Sequence, residues 1–300
     1  MPFAFEQNFL DDRELGASIA CVHEGELVVN LWAGHANLAR TRPWAEDTLP
    51  CVFSTTKLFT VTCALIAVDR GLLDLDPRVA HYWPAFGQGG KETVTVRDVL
   101  THRALMSGFR QPQLFYTRCD WEKMLDLIER EPAWFEPGTF CYHLVNNGFI
   151  IGHLVHIVTG IHFQKFFIDE PADPLGADIH LGLTDPSDQA CVPQFLWPPE
   201  TFPFEEGTLA HEVGASFEPG PEGIDPFLEW RVQSMLSPAE SGYATAVGLA
   251  RFASMLANGG HLDGREYLSP EMFREAQTEQ VHAECPLLGE IRFGLGLGLD

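Results

Sequence analysis

The sequence predicts an α/β (α+β) fold, in which an antiparallel β-sheet is flanked by helices and a mostly helical lobe is inserted into it. Three observations predict this arrangement. A hairpin pattern opens the chain, Pro and Gly separate short helical stretches from about residue 72 to 237, and an amphipathic helix and an apolar strand follow. We expect one domain over 1–300, with a sheet lobe at about 1–71 and 245–300 and a helical lobe at about 72–244.

The first part of the chain carries a hairpin and a long helix. The partly β-branched runs Gly16–Cys21 and Leu27–Trp32 flank a short polar turn, a pattern typical of two antiparallel strands. In Val52–Asp69, apolar residues recur at steps of three and four, and Gly71 follows as a helix-ending glycine. This helix is apolar almost all round, so we expect it to be buried.

The remaining elements are shorter. We expect helices at Val96–Thr101, Trp121–Glu129 and Phe149–Thr159, and the acidic, Pro-rich stretch Pro193–Asp225 predicts a long excursion from the core. The last elements are an amphipathic helix over 246–256 closed by Asn258-Gly259-Gly260, a helix opened by Ser269-Pro270-Glu271, and a strand at Ile291–Leu299.

Composition excludes several classes of protein. With 19 basic and 42 acidic residues the net charge is −23, which argues against nucleic acid or an anionic membrane as partner. No run of eighteen apolar residues predicts a membrane span, and the first residues lack the pattern of a signal peptide, so we expect a cytoplasmic protein. The seven cysteines form no Cys-x-x-Cys pair, so we expect neither a disulfide framework nor a zinc site.

The motifs of several other enzyme classes are missing from the sequence. It contains no P-loop, no Gly-x-Gly-x-x-Gly after an early strand, no Gly-x-Ser-x-Gly and no His-Glu-x-x-His. His153 and His156 share a predicted helix face, but without a nearby acidic partner we interpret them as core residues and not as metal ligands. We therefore expect neither a metal nor an organic cofactor.

Ser54 and Lys57 lie three residues apart at the start of the predicted long helix. Residues i and i+3 share a helix face, so the hydroxyl and the amine would meet. The helix N-terminus favours negative charge on the serine oxygen, and burial would lower the pKa of the amine until its neutral form can accept a proton. The pair predicts a serine nucleophile with a lysine base. These two residues alone leave open a plain N-cap serine and a solvated lysine.

Further motifs follow this Ser-x-x-Lys in order along nearly the whole chain. They include Val68-Asp69-Arg70-Gly71-Leu72-Leu73-Asp74, Val99-Leu100-Thr101-His102, Glu136-Pro137-Gly138-Thr139 and Ala257-Asn258-Gly259-Gly260. Together they resemble the serine β-lactamase and penicillin-binding-protein superfamily, and most closely the class C β-lactamase-like carboxylesterases. The resemblance implies a β-lactamase/transpeptidase-like fold.

The resemblance also implies a second motif, Tyr-x-Asn, which corresponds here to Tyr142-His143-Leu144. Tyr142 would be a catalytic phenol facing Ser54 and Lys57, with its pKa lowered by the ammonium. His143 and Leu144 would bind substrate. Leu144 stands where lactamases have Asn and cannot bond to a substrate amide, which favours esters over lactams.

Two further positions depart from the family pattern. The sequence lacks the Gly expected shortly after His102, so we expect that turn to differ. Family members also carry a Lys-Thr-Gly or His-x-Gly motif on a later strand that supplies an oxyanion N–H, whereas this sequence reaches Asp300 without one. Losing one oxyanion donor costs about 10²–10³ in rate, and losing the strand exposes the edge of the sheet and part of the core. On that basis we expect weak activity and marginal stability from the 300 residues.

The resulting hypothesis is a serine hydrolase that cleaves small-molecule carboxylic esters through an acyl-enzyme on Ser54. One alternative is a β-lactamase or D-alanyl peptidase. A second alternative is a catalytically impaired remnant that only binds a ligand or partner. The sequence predicts neither the acyl or alcohol preference nor the oligomeric state.

Overall fold

The computed structural model describes residues 2–10, 14–194, 204–220 and 225–299. Within these ranges, no helix has the length and apolar character needed to cross a membrane. The predicted combination of antiparallel strands and inserted helices is confirmed, while the division into a sheet lobe and a helical lobe stays a prediction. Part of the predicted excursion, residues 195–203 and 221–224, lies outside the described residues.

The predicted hairpin consists of β1 (Gly16–His23) and β2 (Glu26–Gly34), which pair antiparallel. Its turn residues Glu24 and Gly25 have φ values of 51° and 84°. Two consecutive positive φ values match the twist of antiparallel strands, which is why a Gly in this turn favours the hairpin.

The helices agree well with the predicted ones. The predicted long helix forms as a 3₁₀ turn over Phe53–Thr55 followed by α2 (Thr56–Asp69), and Gly71 adopts the left-handed conformation just past its end. The helix predicted at Phe149 begins three residues earlier, at Asn146. The short N-terminal helix α1 was not predicted. The α-helices of the described residues are α1 (Pro2–Leu10), α2 (Thr56–Asp69), α3 (Val79–Tyr82), α4 (Val96–Leu100), α5 (Trp121–Arg130), α6 (Asn146–Thr159), α7 (Phe163–Phe167), α8 (Asp173–Leu175), α9 (Leu209–Gly214), α10 (Trp230–Gln233), α11 (Ala246–Ala257) and α12 (Pro270–Gln277).

The remaining strands pair in small antiparallel sheets. These strands are β3 (Ile179–Leu181) with β4 (Gly242–Ala244), β5 (His261–Leu262) with β6 (Arg265–Glu266), and β7 (Val281–Cys285), β8 (Gly289–Phe293) and β9 (Gly298–Leu299) in one sheet of three.

The prediction of one continuous strand over Ile291–Leu299 is wrong. The segment turns between β8 and β9, where Gly294 N–H donates to Leu297 O and Gly296 has a φ of 72°. Alternating glycines therefore make a turn here, because glycine enters the left-handed region at little cost.

Helix α2 runs through the centre of the core, as its uniformly apolar surface predicts. It packs against α6 and α7, and the Phe59 ring lies 5.8 Å from that of Phe167 and 4.9 Å from that of Phe252, measured between centroids. The same buried cluster takes side chains from two stretches of the chain, Phe59 to Leu181 and Ala244 to Leu295. The core therefore fixes α2 rigidly relative to its neighbours.

A close backbone approach joins α6 to the segment that precedes β4. A Cβ on Gly148 would lie 2.6 Å from Ala239 N and 2.8 Å from Pro238 O, so only glycine fits at this point of the helix. On the other side, Thr60 Oγ1 of α2 donates to Pro238 O over 2.6 Å. Residues 238–239 are thus clamped between two core helices.

We expect Gly148→Ala to destabilise the protein, because the new methyl group overlaps backbone atoms that cannot rotate away. Overpacking of this kind costs about 1–3 kcal/mol, measurable as a lower free energy of unfolding in urea. Gly298→Ala is the matched control: no atom lies within 4 Å of its Cβ position, so the change should stay within about 0.5 kcal/mol. Equal stability of the two variants would contradict the close approach.

Candidate active site

The segment that carries Ser54 is fastened to β4. Val52 N–H donates to Gly242 O over 2.8 Å, and Gly242 N–H donates to Thr56 Oγ1 over 2.8 Å. Gly242 is needed here because a Cβ would lie 2.6 Å from Thr56 Oγ1. The start of α2 is therefore held by a strand and not by a free loop.

Ser54 lies in the middle of the 3₁₀ turn that leads into α2, and its side chain is exposed. The hydrogen bonds of this turn begin with Thr55 N–H, which donates to Val52 O. Ser54 N–H precedes them and is one of the amides that a helix start leaves for an outside acceptor. Phe53, just before it, has a φ of 41°, a left-handed conformation that is costly for a non-glycine residue and typical of functional sites.

Lys57 is buried, with 7% of its surface exposed, and its amine meets three oxygen atoms. Nζ lies 3.3 Å from Ser54 Oγ, 2.7 Å from Leu144 O and 3.0 Å from Ala239 O. Leu144 precedes α6, and Ala239 belongs to the segment clamped between α2 and α6. Three separate parts of the chain therefore converge on one nitrogen atom.

Burial lowers the pKa of the Lys57 amine to about 7, and the Glu240 carboxylate opposes this shift. Glu240 is itself paired with Arg118, whose Nη1 lies 3.1 Å from Glu240 Oε2. This pairing offsets much of the negative charge that would otherwise stabilise an ammonium. A substantial fraction of Lys57 is then neutral near pH 7.

The two carbonyls determine where the lone pair of the neutral amine points. A neutral amine has two N–H bonds and one lone pair. Leu144 O and Ala239 O accept the two hydrogens, so the lone pair is directed toward the remaining neighbour, Ser54 Oγ. In this state the serine hydroxyl can donate its hydrogen bond to the amine, as a nucleophile does to its base.

Tyr142 also reaches Ser54. The Ser54 side chain is one of the groups that act on the Tyr142 hydroxyl, and Lys57 Nζ lies 5.1 Å from the centroid of the tyrosine ring. The expected lowering of the Tyr142 pKa is wrong: burial raises it above its usual range, and the contact with Ser54 only opposes that rise. Because Lys57 itself is driven toward its neutral form, no fixed positive charge stabilises a phenolate.

The two predicted substrate-binding residues differ in their burial. His143 is 1% exposed, and its Nδ1 lies 2.8 Å from Cys141 O, so its side chain faces the interior and is not presented to a substrate. Leu144 is half-buried, and its carbonyl holds Lys57.

The turn after His102 forms without the expected glycine. Leu105 takes its place with a φ of 67°, and His102 itself has a φ of 55°. Both residues, three positions apart, thus adopt a backbone conformation that is uncommon outside glycine.

The carbonyl of Ala239 and the Arg118–Glu240 pair were not predicted as parts of the site. No sequence pattern marks a backbone oxygen as a ligand, and none pairs two charges that are far apart in the chain.

Cys51 and His153 suggest no competing chemistry. Burial raises the pKa of the Cys51 thiol to about 12, so it is not a thiolate nucleophile at neutral pH. His153 packs edge-on against Trp83 at 4.6 Å between ring centroids. Within the ranges described above, no three His, Cys, Asp or Glu side chains are grouped to hold a metal ion.

Comparison with known proteins gives a consistent assignment. The model of the Beta-lactamase family matches residues 4–300. The Esterase/beta-lactamase LipL of Mycobacterium tuberculosis is 35% identical over 315 residues, covering 98% of this chain and 71% of that protein. The crystal structure of a penicillin-binding protein homologue from Caulobacter crescentus superimposes with a TM-score of 0.89 at 34% identity, covering 99% of this chain and 79% of the other.

A second solved structure, that of a family VIII carboxylesterase, has a TM-score of 0.84 at 32% identity, covering 100% of this chain and 80% of the other. The family model, the sequence relative and the two solved structures therefore indicate the same family over nearly the whole of this chain. The chain belongs to the beta-lactamase family, within the serine β-lactamase and penicillin-binding-protein superfamily, and is a hydrolase of the serine β-lactamase and esterase type.

Proposed function

We propose that this protein cleaves carboxylic esters of small molecules through an acyl-enzyme on Ser54, with Lys57 as the base and Tyr142 as a proton donor. The observation that carries the proposal is the contact of an exposed serine hydroxyl with a buried amine whose hydrogens are both taken by carbonyls. The Ser54 side chain belongs to the start of α2 and Tyr142 to the predicted helical lobe, so we place the cleft between the two predicted lobes.

In the acylation step, Ser54 Oγ attacks the ester carbonyl carbon while its proton passes to the neutral Lys57 amine. The negative charge that develops on the carbonyl oxygen is stabilised by Ser54 N–H at the start of α2. When the tetrahedral intermediate collapses, the bond to the alcohol breaks and the alkoxide takes a proton from the Tyr142 hydroxyl. Lys57 then returns its proton to the phenolate through a solvent molecule, because Ser54 Oγ is now acylated.

Deacylation uses the same groups in reverse. Water attacks the acyl carbon and gives a proton to the neutral Lys57 amine. When this second tetrahedral intermediate collapses, the bond to Ser54 Oγ breaks and Oγ takes the proton back from Lys57, which releases the carboxylic acid and restores the serine hydroxyl and the neutral amine. The raised pKa of Tyr142 suits it to donate a proton, and the lowered pKa of Lys57 suits it to accept one. The two shifts support the amine as the base and the phenol as the acid.

Leu144 supports an ester as substrate. Its apolar side chain has no group that could bond to the amide next to a β-lactam ring or in a peptide. The carboxylesterase among the similar structures and the word esterase in the name of LipL point the same way. The alternative of a β-lactamase or D-alanyl peptidase is favoured only by the penicillin-binding and beta-lactamase relatives.

Ser54→Ala should lower the turnover of p-nitrophenyl acetate by at least about 10³-fold, because the covalent route is lost. Thr55→Ala removes the neighbouring exposed hydroxyl and should leave the rate nearly unchanged. A fluorophosphonate should label the wild-type chain and not the Ser54 variant. Unlabelled wild-type protein, or full turnover by Ser54→Ala, would contradict the proposal and favour a binding remnant.

The pH dependence of kcat/KM should show an acid limb with an apparent pKa of about 7, the value for the Lys57 amine. Below this pH the amine is protonated and cannot accept the serine proton, so the rate should fall about tenfold per pH unit. His143, whose pKa burial lowers to about 4, cannot produce this limb.

The control for this profile is Lys57→Met, which keeps an apolar stem of similar length in the buried site. Its residual rate should lack the limb near pH 7. Rates are followed at the isosbestic wavelength of p-nitrophenol so that ionisation of the product does not distort the profile. A limb that persists unchanged in Lys57→Met would show that another group is the base.

Wild-type protein should turn over the short-chain ester faster than nitrocefin. Leu144→Asn restores the amide that lactamases carry at this position, and should raise kcat/KM for nitrocefin by about tenfold, the effect of one net hydrogen bond. It should not raise the rate for the ester. Faster nitrocefin turnover by the wild type would favour the β-lactamase alternative.

A further inference from the structure

His102 contacts the loop that carries Tyr142 at three consecutive residues. Its carbonyl accepts a hydrogen bond from Cys141 N–H over 3.1 Å, and its Nδ1 accepts one from His143 N–H over 3.1 Å. Its ring lies 4.6 Å from the Tyr142 ring, measured between centroids and tilted by 42°. A single residue thus contacts the residue before the tyrosine, the tyrosine itself and the residue after it.

We propose that His102 is a positioning residue for the reaction, which holds the Tyr142 hydroxyl at Ser54 by fixing the backbone on both sides of the tyrosine and packing against its ring. The inference rests on the proposed role of Tyr142. His102 itself touches neither substrate nor Ser54 in this account and acts only through the tyrosine.

The electrostatic environment suits this role. Nδ1 can accept the His143 N–H only while it is unprotonated. Burial lowers the pKa of His102 well below its usual range, and His143 and Lys57 reinforce the shift. The ring therefore stays neutral, with its proton on Nε2, through the whole pH range in which Lys57 becomes a base.

His102 makes these contacts with its backbone in a strained conformation. Its φ of 55° lies in the left-handed region, which His, Asn and Asp enter more readily than other non-glycine residues. The ring is 2% exposed and is enclosed by Phe293 at 5.3 Å and Phe140 at 6.2 Å between centroids. These rings prevent the imidazole from swinging away from Tyr142.

Two substitutions separate the acceptor from the ring. His102→Asn tolerates the left-handed conformation and offers Oδ1 in place of Nδ1, whereas His102→Phe keeps an aromatic ring and leaves His143 N–H without its acceptor. Tyr142→Phe is the reference for complete loss of the hydroxyl. His153→Asn is the matched control, since His153 is a half-buried histidine on α6 that also packs on an aromatic ring.

The first measurement is ester hydrolysis by each variant, corrected for the folded fraction. His102→Phe should lower kcat toward the value of Tyr142→Phe, by up to about 10²-fold, because a shift of about 1 Å in a catalytic group costs that much. KM should change little, and His102→Asn should recover part of kcat. His153→Asn should retain wild-type kcat.

The second measurement is hydrogen exchange of the His143 amide, which does not depend on activity. Exchange should be faster in His102→Phe and near the wild-type rate in His102→Asn and His153→Asn. Unchanged exchange together with unchanged kcat in His102→Phe would overturn the proposal. Equal losses of kcat in the His102 and His153 variants would also overturn it, since they would indicate a general core effect.

The two measurements distinguish failure of this inference from failure of the proposed function. If the wild type shows no turnover that depends on Ser54, the proposed function fails, and the exchange of the His143 amide still decides whether His102 holds the loop. If turnover depends on Ser54 but not on His102, only the inference about positioning is overturned.

Discussion

The structure depends on how one buried amine is surrounded. The hydrogen-bonding partners of the Lys57 amine are a serine hydroxyl and two backbone carbonyls, none of which carries a full charge. Desolvation therefore outweighs the Glu240 carboxylate and favours the neutral form. The same two carbonyls orient that neutral form. Burial and geometry thus act together: burial supplies a base, and the carbonyls direct it toward Ser54.

The surrounding fold keeps these atoms in place through close backbone contacts. Gly242 lets β4 approach the start of α2, and Gly148 lets α6 approach residues 238–239. Both glycines are buried where a methyl group would overlap neighbouring atoms. Core packing sets the position of α2, and these two contacts set the positions of Ser54 and Ala239 O relative to it. A substitution that displaces the backbone at either glycine would therefore move reacting atoms and would also weaken the core.

Much of this could be predicted from the sequence, for physical reasons that differ between elements. The hairpin, α2, α11 and α12 follow from periodicity and caps, which are local. The contact between Ser54 and Lys57 is also local, because three residues span one helical turn. The carbonyls of Leu144 and Ala239 belong to distant parts of the chain and have no side-chain signature. The rise in the Tyr142 pKa depends on burial, and the turn inside Ile291–Leu299 depends on tertiary packing, so both expectations failed.

A buried lysine that stays neutral has a thermodynamic consequence for the molecule as a whole. At high pH the amine is uncharged in both the folded and the unfolded chain. As the pH falls below the ordinary lysine range, the unfolded chain binds a proton there, whereas the folded protein does so only near pH 7. Across that window acidification shifts the equilibrium toward unfolding, and below it this contribution becomes constant. The burial that makes the amine reactive therefore also lowers the free energy of unfolding of the protein in this pH range.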